Sequence, residues 1–496
     1  MDIFENVVGF LNSVLWGSSD YPFIFSAGVL GLLLIVTGIY MTVRLRFIQI
    51  RRFPHFFRVL FHSFKPENTG GISPFEAFAT SLAARVGAGN IGGVAIAITL
   101  GGPGAVFWMW AIALMGMATA MVEATLAQVF KQRDEAEGKN LFRGGPAYYM
   151  QRGLNARWMG IVFSIFLIIA FPFVFNALQA NTLAVAMDNA FGVTPLITGL
   201  VTAALAGFII FGGIRRIARF AEIVVPVMAI AYLAVGLVVV FVNISAVPET
   251  LATIVRSAFG MEEVVGGFAG YAIAQALVQG IKRGLFSNEA GLGSAPNTAA
   301  TADIRHPGSQ GFIQSIGVFI DTIVVCTTTA LIILLSGVWQ PGREYVDGVA
   351  LTQDSLSASV GGWGGQFVAI ALIFFAFTSI VANYYYGETS ILFMKGNHRI
   401  LIPIKILVIG MVIFGSQAAV PVVWDMADAA LGLMALVNLA AILLLARIAT
   451  LVIRDYERQL DLGEDPVFDR NDFPELAARL ADDVWQADDR ARESPP

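Results

Sequence analysis

A cluster of glycines beside one asparagine lies in the middle of a long apolar stretch. The segment Val86–Asn90 reads Val-Gly-Ala-Gly-Asn inside an apolar run over 74–100. Glycine permits backbone that is not helical, and irregular backbone at membrane depth is tolerated only where it lines a cavity or is buried in protein. A helix broken here exposes N–H groups that can hold a carboxylate and carbonyl groups that can coordinate a cation. The cluster therefore predicts a binding site, with close helix packing as the alternative explanation.

Polar side chains in other apolar runs are candidates for the same chemistry, because intramembrane polar groups are costly. Arg85 could neutralise a substrate carboxylate or pair with an acid such as Glu123 as a structural clamp, and we favour the clamp. Gln179 could face the substrate or form an interhelical hydrogen bond. Asp321 and Asp425 could carry protons, although paired structural acids are the preferred interpretation.

The composition requires a lipid environment. The chain has 496 residues, of which 56% are hydrophobic and 14% charged, and a mean hydropathy of +0.71. This is more apolar surface than a soluble fold can bury. The single cysteine, Cys326, excludes a disulfide framework and a thiol metal cluster. No nucleic-acid partner is indicated, and no HExxH or GxSxG motif supplies a catalytic centre for a membrane enzyme.

Eleven apolar runs are long enough to cross a bilayer. They fall near 22–44, 74–100, 103–130, 158–186, 193–212, 222–243, 266–286, 311–337, 364–391, 399–417 and 422–450. The sequence therefore predicts an all-α polytopic membrane protein.

The cations determine the predicted orientation, since Lys and Arg in short loops stay cytoplasmic. With the N-terminus outside and the C-terminus inside, 28 of the 31 cations lie in or beside cytoplasmic loops. Lys282 and Arg283 are counted among them. The neighbouring Asn288 and Glu289 are therefore expected at the cytoplasmic end, in a gate or salt bridge rather than against the substrate.

Three segments outside the spans have distinct patterns. Arg44–Lys65 alternates arginines with phenylalanines, which is typical of an amphipathic helix on anionic lipid. The acid-rich tail after Arg454 is expected to be a solvated cytoplasmic extension. Met1–Tyr21 contains no Lys or Arg, so no secretory signal is predicted. Ile3–Trp16 could lie along the membrane interface or cover the first span.

An inverted repeat is apparent once the first span is set aside. The remaining ten divide into five within 66–243 and five within 244–451, with 1–65 in front and 452–496 behind. Because five is odd, the second set starts from the opposite side of the membrane, as in secondary transporters, where interrupted helices at matching positions mark the site. The second set opens on the glycines Gly266, Gly267, Gly270, Gly280 and Gly284. We therefore expect the partner break around Gly280, before the polar run Ser287–Pro296.

Five motifs in the same order resemble the alanine or glycine:cation symporter family. They are Ser81–Asn90 (SLAARVGAGN), Gly101–Trp110 (GGPGAVFWMW), Gly144–Tyr149 (GGPAYY), Arg283–Gly291 (RGLFSNEAG) and Phe319–Thr322 (FIDT). The likeness extends from about residue 70 to the tail. Within that family the chain looks most like the D-alanine and glycine permease subgroup.

The resemblance implies a leucine-transporter-like fold of five plus five helices behind one extra N-terminal helix. It implies sodium-coupled import of alanine, glycine or D-alanine by alternating access across the bacterial inner membrane. The implied partners are the amino acid, the sodium ion and membrane lipids, with no obligate protein partner.

The resemblance also implies the site residues. For the substrate they are Ala84, Gly87, Ala88, Gly89, Asn90, Gln179, Gly280, Ile281, Ser379 and Asn383. For sodium they are the carbonyls of Ala83 and Val86 with the hydroxyls of Thr378 and Ser379. Oxygen ligands suit a hard cation.

Two positions depart from the family pattern. Many members carry Thr where Ala88 stands and Trp where Asn383 stands. An amide in place of an indole makes the pocket more polar, so the substrate range and stereochemical preference stay open. Proton coupling is the first alternative function, followed by a polytopic membrane enzyme. A passive channel is disfavoured because polarity gathers at broken helices rather than along a continuous pore.

Overall fold

The computed structural model describes residues 2–17, 27–66, 71–134, 140–261, 269–343, 348–396, 398–481 and 484–485, and these are almost entirely helical. The helices of the first half are α1 (Asp2–Trp16), α2 (Gly28–Arg44), α3 (Ile48–Arg51), α4 (Phe53–Phe61), α5 (Pro74–Arg85), α6 (Gly89–Gly101), α7 (Gly104–Val129), α8 (Pro146–Leu154), α9 (Arg157–Phe191), α10 (Pro195–Ile210), α11 (Gly213–Val242) and α12 (Val247–Ala258).

The second half continues the helical bundle. Its helices are α13 (Ala269–Asn288), α14 (Pro296–Ala299), α15 (Pro307–Leu335), α16 (Gly348–Val360), α17 (Trp363–Lys395), α18 (Leu401–Gln417), α19 (Val420–Asp461) and α20 (Pro474–Ala477), with single 3-10 turns at His398–Ile400 and Arg470–Asp472. Two short strands, β1 (Gln132–Arg133) and β2 (Phe142–Arg143), pair antiparallel between α7 and α8.

Seven helices of the described chain are long and apolar enough to cross a membrane, and α5 with α6 forms an eighth span bent by 51°. The other three predicted runs coincide with α2 (17 residues), α10 (16 residues) and α13, which carries Lys282 and Arg283. The chain is therefore a polytopic helical membrane protein, while the count of eleven crossings stays a prediction.

Three of the described helices contain a π-helical turn, a feature frequent at functional sites. The turns lie at Gly89–Gly93 in α6, Ile169–Phe175 in α9 and Phe319–Cys326 in α15. In α9 the turn contains Pro172, which has no N–H to donate. Gly387 of α17 faces it, and a Cβ at Gly387 would stand only 2.1 Å from the Pro172 ring. These π turns shift the register of α6, α9 and α15, the three helices that meet at the broken segment Val86–Asn90.

The segments before the bundle pack against its surface. Trp16 at the end of α1 is buried, and its indole Nε1–H donates to the Asp428 carbonyl at 3.0 Å. The amphipathic segment after α2 forms the two helices α3 and α4, with Phe56 buried. Arg52 pairs with Glu457 at 3.1 Å, so this basic segment is tied to the end of α19.

The tail contradicts the expectation of a solvated extension. Phe468, Leu480 and Trp485 are buried. The Phe468 N–H donates to the Arg305 carbonyl at 3.0 Å, and the Trp485 indole donates to the Val129 carbonyl at 3.3 Å. Spaced apolar residues among the acids thus fold part of the tail back onto the bundle. The acids at 482, 483, 488 and 489 lie outside the described residues.

The position of Lys282 and Arg283 is also corrected. Both contact the Asp428 carboxylate near the start of α19, whereas His306 contacts Asp455 near its other end. At 1.5 Å per residue, these two points of α19 are about 40 Å apart. Lys282 and Arg283 therefore lie at the opposite end of the bundle from the loop that contains Arg305, and the expectation that both groups share one membrane face is wrong.

Candidate functional site

The site forms where α5 stops and α6 begins. A capping box begins α5, since the Ser73 hydroxyl accepts from the Glu76 N–H and the Glu76 carboxylate accepts from the Ser73 N–H. The helix ends at Arg85, and Val86 is extended with φ −78° and ψ 92°. Residues 86 to 93 are all buried. The predicted break is therefore present and enclosed by protein.

Two backbone N–H groups of the break are held by side-chain amides. The Gly87 N–H donates to Asn90 Oδ1 and the Ala88 N–H donates to Gln179 Oε1, each at 2.9 Å. These donors stand just ahead of α6, where a helix N-terminus favours a negative group. Gln179 was predicted to face the substrate or to form an interhelical hydrogen bond, and its amide oxygen contacts the broken backbone directly. An anionic ligand group could replace the two amide oxygens at these N–H donors.

The glycines are required by the close approach of neighbouring helices. A Cβ at Gly87 would stand 2.6 Å from Ser379 Oγ and 2.7 Å from Gln179 Nε2. A Cβ at Gly89 would stand 2.7 Å from the Phe286 ring. All three distances are shorter than real Cβ contacts. The two glycines therefore let three separate spans meet at the break.

The structure brings together two of the four predicted sodium ligands. The Ser379 hydroxyl donates to the Ala83 carbonyl at 2.8 Å and to the Phe375 carbonyl at 2.9 Å. Thr378, the next residue back on α17, donates to the same Phe375 carbonyl at 3.1 Å and faces Met228 Sδ at 4.0 Å. Val86 is buried at the break. The oxygen atoms are of the type that hard cations prefer.

Asn383 lies one helical turn beyond Ser379 on α17. Its Nδ2–H donates to Asn176 Oδ1 at 3.1 Å, and Asn176 in turn donates to the Ile380 carbonyl at 3.2 Å. Asn383 Oδ1 is buried and has no hydrogen-bond partner in the described part of the chain. A buried amide oxygen of this kind is a ready acceptor for a ligand N–H.

Gly280 and Ile281 pack against α7 and α2. A Cβ at Gly280 would stand 2.5 Å from Trp108 Cβ, so this glycine serves packing against α7. Ile281 packs toward Gly31 of α2. The residue of α13 that reaches the break is Phe286, whose ring stacks on Phe175 at 4.6 Å between centroids.

Ser287, which the sequence reasoning had not singled out, joins Asn90. Asn90 Nδ2–H donates to Ser287 Oγ at 2.9 Å and to Asp321 Oδ1 at 2.7 Å. Asn288 donates to Thr322 Oγ1 at 3.2 Å, and Glu289 accepts from Ser294 at 2.6 Å. Asn288 is the last residue of α13 and follows Ser287 directly, so Asn288 and Glu289 are next in sequence to a residue that contacts Asn90. For Ser287 the sequence signals were the polar run Ser287–Pro296 and the motif Arg283–Gly291.

Arg85 is buried but forms no direct ion pair with Glu123 in the described part of the chain. Its Nη1–H donates to the Gln314 carbonyl at 3.2 Å. The Glu123 carboxylate accepts instead from the Gly291 N–H at 2.9 Å and from the Asn438 amide. Arg85 acts on Glu123 electrostatically. The two side chains do not, however, form the direct clamp that was predicted.

A glycine-broken helix beside helices with π turns, in an apolar bundle, is typical of helical membrane transporters. The fold is similar to that of a manganese transporter from Eremococcus coleocola, at a TM-score of 0.51, with 14% identity and coverage of 77% of this chain and 79% of that chain. A mutant of that transporter gives a TM-score of 0.50. These similarities concern the fold alone.

The chain belongs to the sodium:alanine symporter family, whose model matches residues 1–470. It is 49% identical over 467 residues to the probable sodium/glutamine symporter GlnT of Bacillus subtilis, covering 94% of this chain and 93% of the relative. It is 40% identical to the sodium/alanine symporter AgcS of Methanococcus maripaludis, covering 89% and 95%. Membership implies a transporter rather than an enzyme, with sodium as the co-transported ion.

Proposed function

We propose that the protein imports a small neutral amino acid, namely alanine, glycine or D-alanine, together with sodium by alternating access. The observation that carries this proposal is the break itself. There the N–H groups of Gly87 and Ala88 donate to side-chain amides, and the Ser379 hydroxyl donates to a carbonyl at the end of α5. Family membership supports the class of reaction.

The substrate carboxylate is assigned to the N–H groups of Gly87 and Ala88. In the present structure Asn90 and Gln179 fill these donors, and their flexible amides can turn aside when a carboxylate arrives. The Asn383 carbonyl oxygen then accepts from the substrate ammonium, because it is buried without a partner among the described residues. Phe286 lies directly against Gly89, and we assign to its ring the role of limiting the size of the substrate side chain.

The sodium ion is assigned to the Ala83 and Val86 carbonyls with the Thr378 and Ser379 hydroxyls. The direct Ser379–Ala83 hydrogen bond supports this set, because it brings oxygens of α17 and of the end of α5 to 2.8 Å. A cation between them coordinates both oxygens in place of the shared proton. Binding there joins α5 to α17, so sodium stabilises the arrangement that presents the substrate site.

The proposed architecture has eleven crossings, with the five-plus-five inverted repeat of leucine-transporter-like folds in the bacterial inner membrane and the N-terminus outside. In this orientation Lys282, Arg283 and Asp428 face the outer half of the site, while the folded tail covers the inner face. Alternating access is then the rocking of one helix set against the other around the break.

Two relatives define the competing assignments. GlnT is named a probable sodium/glutamine symporter, and another relative at 40% identity is named a putative sodium/proton-dependent alanine carrier. A glutamine site has to accommodate a longer side chain beside Phe286, and a proton-coupled carrier does not need sodium ligands.

Competition in proteoliposomes tests the substrate class. We expect excess unlabelled glycine, L-alanine and D-alanine each to suppress sodium-dependent uptake of labelled glycine, because all three fit beside Phe286. L-Glutamine at the same concentration is expected to compete at least about tenfold less well, as one pocket contact alters affinity on that scale. Liposomes without protein give the background. Suppression by L-glutamine equal to that by glycine reassigns the substrate to the longer amide amino acids.

A further inference from the structure

The segment after α19 folds back over one end of the bundle, and we call its described residues from 462 to 485 the docked tail. The Phe468 N–H donates to the Arg305 carbonyl at 3.0 Å, in the loop before α15. The Trp485 indole N–H donates to the Val129 carbonyl at 3.3 Å, at the end of α7. The docked tail therefore contacts elements of both predicted five-helix sets at the same end of the bundle.

Aromatic packing holds the docked tail in place. Phe468 and Trp485 are both buried. The Phe468 ring stacks on Phe473 and meets the Trp485 ring edge-on, each at 5.1 Å between centroids. It also meets the His306 ring edge-on at 5.8 Å. Because buried aromatic rings contribute large favourable contact areas, the docked tail is an ordered part of this conformation.

Trp485 also completes the surroundings of a buried cation. Lys131 is only 1% exposed, and its Nζ donates to the Ala302 carbonyl at 2.8 Å. The rings of Phe142 and Trp485 lie 4.0 Å and 4.9 Å from the same ammonium group. A buried ammonium is stable only with such partners, since burying a charge is costly. Undocking of Trp485 therefore weakens the position of Lys131 against Ala302.

The loop that the docked tail contacts also holds the start of α5. Ala302 forms a parallel bridge with Ile72, and the Asp303 N–H donates to the Ile72 carbonyl at 2.9 Å. The Gln310 amide donates to the Pro74 carbonyl, the first residue of α5, at 3.1 Å. The other end of α5 is the break, about 18 Å away for twelve residues. Contacts thus run from the docked tail through this loop to the helix that carries a proposed sodium ligand.

We propose that the docked tail is a latch that holds α5 and closes the inner side of the site, and that it undocks when the site opens inward. This inference rests on the proposed function, because alternating access moves α5 relative to its neighbours. The latch contacts exist in the closed conformation and are lost in the inward-open one. Their strength therefore sets the balance between the two conformations.

Hydrogen exchange in purified full-length protein tests whether the docked tail holds α5. We expect amides in 72–80 and 302–308 to exchange about tenfold faster in Trp485→Ala, the scale on which loss of one buried hydrogen bond beside a charge changes an opening equilibrium. Leu462→Ala is the matched control, because Leu462 belongs to the same tail but is 64% exposed. This control is expected to exchange like the wild type. Exchange at 423–432, near the other end of α19, is expected to stay unchanged in both variants.

Sodium-dependent uptake tests whether the latch belongs to the transport cycle. A weaker latch populates the inward-open conformation, so the fraction that binds external sodium falls and the apparent affinity falls with it. We expect the external sodium concentration for half-maximal glycine uptake to rise about tenfold in Trp485→Ala, in proportion to the expected change in the exchange rate. Trp485→Phe keeps a ring over Lys131 and is expected to stay within about threefold of the wild type, the range of a small packing change.

The alternative outcomes are distinct. Unchanged exchange at 72–80 in Trp485→Ala overturns the latch and leaves the proposed function intact. Faster exchange that extends to 423–432 shows a general loss of stability and also overturns the latch, as does faster exchange at 72–80 with an unchanged sodium dependence. Absence of sodium-dependent uptake in the wild type contradicts the proposed function itself.

A milder variant covers the case in which Trp485→Ala does not fold. Arg479→Ala removes one hydrogen bond of the docked tail, from the guanidinium to the Gly153 carbonyl at the end of α8, at 3.0 Å. We expect exchange at 72–80 to rise about threefold, the lower end of the range for one hydrogen bond. An exchange rate in Arg479→Ala equal to that of the wild type overturns the latch in that case.

Discussion

Replacing Gly87 by alanine is expected to reduce sodium-dependent uptake at least about a hundredfold, the scale on which a displacement of an ångström acts on a binding site. The new Cβ stands 2.6 Å from Ser379 Oγ and 2.7 Å from Gln179 Nε2. Both side chains have to move away, which separates Ser379 from the Ala83 carbonyl and Gln179 from the Ala88 N–H. The substitution thus affects the sodium and substrate positions together. Initial uptake rates in proteoliposomes measure the loss.

Gly93→Ala is the matched control, because it lies on the same broken helix. A Cβ at Gly93 meets its nearest atom, in the Trp424 ring, at 3.5 Å, which is an ordinary van der Waals contact. We expect this variant to retain uptake within about threefold, the range of a small packing change. Equal amounts of monodisperse protein establish that both variants fold. Wild-type uptake in Gly87→Ala removes this glycine from the site.

Asp428→Ala is expected to destabilise the folded protein by about 3–5 kcal/mol, the usual cost of leaving a buried charge unpaired. The Arg283 guanidinium donates to Asp428 Oδ2 at 2.7 Å, and both side chains are about 5% exposed or less. The Nε and Nη1 groups of Arg283 have no other acceptor in the described part of the chain. Removal of the carboxylate leaves this cation facing the aromatic rings of Trp424 and Phe286, 4.7 Å and 5.8 Å away, neither of which replaces a counter-charge. Thermal unfolding in one fixed detergent measures the effect.

Two variants separate this effect from general damage. Glu249→Ala breaks an exposed pair with Arg256 and is expected to cost about 0–1 kcal/mol. The double substitution Arg283→Met with Asp428→Leu is expected to recover much of the lost stability, since replacing both members of a buried pair by apolar groups is often neutral. A single Asp428→Ala variant as stable as the wild type shows that the pair does not hold α13 to α19.

The first break was predictable because glycine in the middle of an apolar run has few explanations. The partner break predicted around Gly280 is absent, because α13 is continuous from Ala269 to Asn288 and Gly280 packs against Trp108 of α7. The α13 residues that reach the break are Phe286 and Ser287. Neither is a glycine, so composition alone could not select them. The resemblance placed Ser379 beside the end of α5, and the structure brings its hydroxyl to the Ala83 carbonyl.

Charge and composition rules failed where long-range contacts decide the outcome. Lys282 and Arg283 appeared to belong with the cations of the following loop, but Asp428, 145 residues later than Arg283, holds them at the other end of α19. The tail appeared solvated because acids dominate it, yet Phe468 and Trp485 dock on the bundle. Partners so distant along the chain give no local pattern.

Uptake of labelled glycine under exchanged ion gradients tests the central claim most directly. Proteoliposomes are given an inward sodium gradient at equal pH, or an inward proton gradient with potassium replacing sodium. Sodium coupling through the break predicts glycine accumulation above its external concentration in the first condition and only equilibration in the second. Accumulation driven by the proton gradient without sodium contradicts the account.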